Sequence, residues 1–213
     1  MKTQQIKIAA MTSLAVLALA GCSKQPDPKT PSRENFEAGL RTFLAAGNDE
    51  ICLAMYDWPI DLTEAEAGAN ARHAVQLPVF EKLGLARSTI VPVPKSTDNP
   101  DGAIKRYALT DEGRKYYKPH AHTGRDGTAH QNDFCVAQIS LDHVDSWDLD
   151  KQHSAATVGY AYHIAPAPWM QDADARRVLP MVAKVIDGAD GRLQMRQGFA
   201  LGDKGWAAVT GPV

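Results

Sequence analysis

The chain has 213 residues and a near-balanced charge, with 23 Lys and Arg against 25 Asp and Glu, for a formal net charge of −2. It carries no basic block, which argues against nucleic acid as a partner. The length suffices for one large domain or two small ones with real cores.

In chain order, Lys2 and Lys7 give a positive start, an apolar run extends from Ile8 to Ala20, and Gly21 and Cys22 close the segment. This is the pattern of a secretory signal peptide. The apolar run is shorter than the ~20 residues that a membrane span needs. Ala18-Leu19-Ala20 also fits the A-x-A site of an ordinary cleaved signal. Leu19-Ala20-Gly21-Cys22 resembles the lipobox of bacterial lipoproteins. The resemblance implies removal of residues 1–21 and lipidation of Cys22, which becomes the mature N-terminus. Two or more acyl chains make a stable anchor. Ser23, standing where an aspartate would signal inner-membrane retention, implies the outer membrane and its periplasmic face. Residues 22–32 then form the lipidated cysteine and a flexible tether, rich in Pro26, Pro28 and Pro31 and without large apolar side chains.

With Cys22 lipidated, Cys52 and Cys135 remain. An oxidising compartment and an even remainder suggest a disulfide between them. In the chain-entropy model so long a loop is worth roughly 4 kcal/mol. The other reading is two separate buried thiols.

Ser32 is placed to cap a first helix, with Glu34 in its first turn, Phe36, Leu40, Phe43 and Leu44 on one face, and Gly47 at its end. A short strand over 51–56 leads into Trp58-Pro59. Thr63 and Glu66 form a capping box. The helix they open is expected to run to about Leu77, where Pro78 interrupts it. A shorter helix then carries Val79, Phe80 and Leu83, and ends at Gly84.

Over residues 78–117, a helix ending in Leu83-Gly84-Leu85, a strand at 89–94, a polar turn at 96–102 and a segment containing Tyr107 to Arg114 resemble the wing of a winged-helix protein. The resemblance implies the shape. The helix Arg72 to Leu83 mixes Arg72, His73, Glu81 and Lys82 and shows no basic face for DNA. Residues 118–133 are polar and read as a loop linking two subdomains.

Residues 134–141 and 157–164 alternate as strands, with a turn over 148–154. A helix is expected from Asp172 to about Ile186, kinked at Pro180, and a final hairpin crosses Gly202 to Lys204. The expected fold is α+β. A winged-helix-like unit over 33–118 is followed by an antiparallel sheet with a covering helix over 134–213. Leu201 to Trp206, with Trp169 and Tyr160 to His163, resembles periplasmic domains of proteobacteria, a likeness that implies no activity.

The sequence lacks G-x-S-x-G, P-loop, G-x-G-x-x-G, H-E-x-x-H and C-x-x-C motifs. Asp142, Asp145, Asp148 and Asp150 cluster with His143 and are read as a solvated group. His120 and His122, two apart on an extended segment, are the candidate metal ligands, completed by His130 or Asp126. Four tryptophans are read as closing core edges. Taken together, these features describe an outer-membrane-anchored periplasmic lipoprotein. Its expected role is non-enzymatic, binding a protein partner or supporting the envelope, with no cofactor. The alternatives are an inhibitor or immunity lipoprotein and a metal-binding lipoprotein.

Overall fold

A computed structural model describes residues 27–210 apart from 125, 126 and 153. Ser32 caps α1 (Arg33–Phe43), its hydroxyl accepting from the Asn35 N–H. A π turn over Leu44–Asn48 follows, with Gly47 in the left-handed region at φ 91°. Next come β1 (Glu50–Cys52), a cis Trp58–Pro59 bond and β2 (Ile60–Leu62). Both halves of the Thr63–Glu66 capping box are made at the start of α2 (Glu64–Gly68).

The single helix expected to reach Leu77 is two. Asn70 sits at φ 50° and stops the first, and α3 (Arg72–Lys82) begins anew. Pro78 lies inside α3 rather than ending it. Leu77, Val79 and Phe80 around it are buried, which offsets the hydrogen bond that proline removes. β3 (Ala86–Pro92) and β4 (Ala103–Leu109) form an antiparallel hairpin with β2 along the far edge of β4. Thr110 caps α4 (Asp111–Arg114). A Cβ at Gly113 would stand 1.9 Å from the Leu85 carbonyl oxygen, so this close approach admits only glycine.

The polar stretch 118–133, expected as a linker loop, is a hairpin of β5 (Tyr117–Thr123) and the start of β6 (Ala129–Asp150). Polar side chains do not prevent a strand where the backbone finds a ladder partner. β7 (Ala155–Pro166) pairs with β6. The expected helix from Asp172 to Ile186 is again two, α5 (Ala173–Val178) and α6 (Pro180–Asp187). Leu179, at φ −124° and ψ 55°, separates them, and Pro180 opens α6, where its missing N–H costs nothing. β8 (Met195–Gly202) and β9 (Gly205–Ala208) complete the larger sheet, ordered β1-β6-β7-β8-β9 with β5 also on β6. All its pairings are antiparallel. The α+β class therefore holds.

Two cores fill the molecule, and neither respects the order of the chain. One gathers Leu77, Phe80, Tyr107 and Phe134 with Met170, Ala175 and Val178 from near the C-terminus. The other sets Phe36 and Leu40 of α1 against Val144, Val158, Tyr162 and Phe199 of the sheet. α1 thus covers the sheet together with α6, whose Val185 carbonyl accepts from the Tyr162 hydroxyl. α5, expected there, packs on α3, with Gln76 donating to the Val178 carbonyl and Lys82 paired to Asp174 at 2.5 Å. No helix among the described residues is long and apolar enough to cross a membrane.

Candidate functional site

β6 organises the candidate site. Its first half is paired with both β1 and β5, and each pairing slips. The slip against β1 falls between Ile51 and Cys52, and the slip against β5 between Pro119 and His122. Such bulges re-aim side chains and concentrate at sites. Cys52 and Cys135 stand opposite each other in the ladder and are joined by a disulfide of S–S 2.05 Å. Glu50 and His120 lie beside them, and one ligand atom from each of the four side chains falls within 4.8 Å of the others. Lys118 Nζ is 2.7 Å from Glu50 Oε1, while Glu50 Oε2 faces His120 Nδ1 at 3.9 Å. With the sulfurs joined, only Glu50 and His120 keep full donor capacity toward a cation.

The three histidines read from the sequence separate into two places. His120 belongs with Glu50 and the cystine. His122 and His130 face each other across β5 and β6. The Tyr56 ring stacks on both, with centroids 4.1 Å from His130 and 5.4 Å from His122. His130 Nδ1 lies 3.2 Å from Asp57 Oδ2. Asp126, named with them, and Cys22, the expected lipid site, lie outside the described residues.

Asp133 has one signal in the sequence, an acidic residue directly before the apolar run Phe134-Cys135-Val136. It is buried and accepts hydrogen bonds from the Ala54, Met55 and Phe134 N–H groups at 3.0, 2.7 and 2.6 Å. It thereby fixes the chain leaving Cys52 against the strand carrying Cys135. Glu50 had no local signal, since only strand pairing brings it to His120.

Two aspartates of the acidic cluster, Asp142 and Asp145, form a chain with His143, His163 and Asp190. His143 bridges Asp142 at 3.2 Å and Asp145 at 2.9 Å, and His163 lies 2.8 Å from Asp190 and 3.7 Å from Asp142. The Asp142 hydrogen bond holds His143 above the ordinary imidazole value, and the Asp190 hydrogen bond does the same for His163.

A groove of about 760 Å³ lies between α1 and β9, the last strand of the larger sheet. Ala38, Thr42, Phe43, Ala46 and Trp206 line it, and Asp27 and Pro28 form one end. Residues 27–30, expected in the tether, are docked here. Trp206 donates from its backbone to the Pro28 carbonyl and from its indole to the Lys29 carbonyl. Proline and an indole supply the apolar contact that a wholly polar tether would lack.

No protein-family model, curated protein or solved structure matches this chain.

Proposed function

We propose that the chain is an outer-membrane lipoprotein, held at the periplasmic face through Cys22, which acts by binding a protein rather than by catalysis. The lipobox at residues 19–22 supports the anchor. The Cys52–Cys135 bond suits an oxidising compartment. The observation that carries the binding role is the groove between α1 and β9. It is lined mainly by small and apolar side chains, and it opens where the chain arrives from the tether. A partner entering it presents an apolar segment, because Asp27 is the one charged residue of its lining among the described residues. Tethered this way, the groove stays within the tether's reach of the membrane, so an envelope partner meets it at raised effective concentration.

For the unit over 33–118 we propose a winged-helix-like shape, which rests on the resemblance over 78–117. The strand order β2-β4-β3 and the helix pair before the hairpin support this. α3, the helix that would face DNA in such a unit, lies under α5 through Gln76 and Lys82, so the unit serves as scaffold.

The test is a pull-down from detergent-solubilised envelopes with the mature, lipidated chain. One stoichiometric partner is expected. Ala46→Glu, which puts a charge into the groove from an exposed position, lowers its recovery about tenfold. Cys22→Ala releases the chain from the membrane without abolishing binding to the purified partner. An empty pull-down, or a hydrolytic or transferase activity of the purified chain, overturns the proposal.

A further inference from the structure

The cystine and its two neighbours make a ligand set. We infer that Glu50, Cys52, His120 and Cys135 form a zinc site that opens when the Cys52–Cys135 bond is reduced. Two thiolates, an imidazole and a carboxylate are the donors zinc takes, four at a time and tetrahedrally. They come from three adjacent strands, β1, β5 and β6, and the ladder slips at both Cys52 and His120. Two thiolates on one zinc stand about 3.8 Å apart, from Zn–S bonds of about 2.3 Å in tetrahedral geometry. The four donor atoms already lie within 4.8 Å of one another, so side-chain rotation rather than backbone rebuilding closes the site. The Glu50 and His120 side chains are 16% and 26% exposed, enough for entry from solvent. Lys118 occupies only Oε1 of Glu50 and leaves Oε2 toward the site. The two thiolates and the carboxylate on a dication leave one net negative charge, and the Lys118 ammonium balances it.

The chemistry balances with a dithiol as reductant. It gives two electrons and two protons, the Sγ–Sγ bond breaks to two thiols, and the dithiol becomes a disulfide. Zinc then displaces both thiol protons to solvent and binds the thiolates. In an oxidising compartment the cystine form prevails and no zinc is held. Loss of oxidising power converts a cross-strand bond into a metal cross-link at the same place. His122 and His130 take no part, since they stack on Tyr56 and His130 pairs with Asp57.

The experiment titrates Zn²⁺ and Co²⁺ into the full chain carrying Cys22→Ser, oxidised or reduced by a phosphine that leaves no competing thiol. The reduced chain is expected to bind one zinc about 100-fold more tightly than the oxidised chain. With cobalt it shows a thiolate-to-metal charge-transfer band. His120→Ala weakens binding about tenfold or more, whereas His122→Ala and His130→Ala leave it unchanged. Equal binding in the two redox states, absence of the thiolate band, or dependence on His122 or His130 overturns the inference. If the reduced chain unfolds without metal, recovery of its circular dichroism on adding zinc supports the site, and failure to recover overturns it.

Discussion

The core around Phe134 and the core around Phe36 are assembled alike, each from both ends of the chain, yet they treat their polar atoms differently. In the Phe134 core, Trp58, Phe80, Tyr116 and Trp169 surround one ring at centroid distances of 5.2 to 6.1 Å. The buried Trp58 and Trp169 indole N–H groups there have no hydrogen-bond partner among the described residues. In the Phe36 core, Trp206 donates to the Lys29 carbonyl and Tyr162 to the Val185 carbonyl. The first core is therefore held mainly by ring packing, with the Asp133 hydrogen bonds and a cystine at its edge. The second combines burial with directional bonds that fix α1 and the Lys29 turn on the sheet. An unpaired buried donor costs about 1–3 kcal/mol, so the Phe134 core carries a burden that its ring packing must outweigh.

The largest test of this contrast is truncation at the two centres. Phe134→Ala should cost about 5 kcal/mol in urea unfolding and Phe36→Ala about 4 kcal/mol, because both rings are fully buried and Phe134 touches one more aromatic ring. Equal or reversed losses would remove the special status given to the Phe134 cluster. Next, replacing Cys52 and Cys135 together by Ala should cost about 4 kcal/mol, since the bond closes a loop of sequence separation 83. Hydrogen exchange should report the loosening first around Phe134 rather than around Phe36.

A smaller effect separates the indoles. Trp206→Phe gives up the bond to Lys29 and should cost about 1 kcal/mol more than Trp58→Phe or Trp169→Phe, whose N–H groups lose no partner. Similar losses at all three positions would mean that the N–H groups do not distinguish the cores.

The smallest effect is one of pH and belongs to the sheet. His143 and His163 are raised in the folded chain, so their contribution is complete below the ordinary imidazole value and fades as pH rises through the raised folded values. His73, lowered by burial, acts with the opposite sign, so the test is the difference between urea midpoints of the chain and of Asp142→Asn from about pH 5 to pH 8, and the chain's advantage should shrink as pH rises. An advantage that does not change with pH would contradict the assignment.

Local chemistry was legible in the sequence wherever it acts within a few residues. The Ser32 cap, the Thr63–Glu66 capping box and the 202–205 turn stand where the residues place them. Interruptions are not legible locally, because tertiary burial carries α3 through Pro78 while Asn70 ends α2. The 118–133 hairpin was invisible since its strands are polar, and its order comes from a partner strand rather than from alternation. His120 was singled out, but its neighbours were not. Glu50 is 70 residues away in sequence, and only the meeting of β1, β5 and β6 brings the two side chains to 3.9 Å.

By itself the sequence determined the α+β class, the caps and turns, and the lipobox on which the proposed address rests. These depend on periodicity, on hydrogen bonds spanning three or four residues, or on a contiguous motif. The tertiary structure alone decided which helix covers which core, where in the sheet the Cys52–Cys135 cystine expected from the sequence falls, and which carboxylate meets His120. Each of those is a contact between residues far apart in the chain. Their cost in loop-closure entropy is met only when the whole sheet forms, and no local pattern records it.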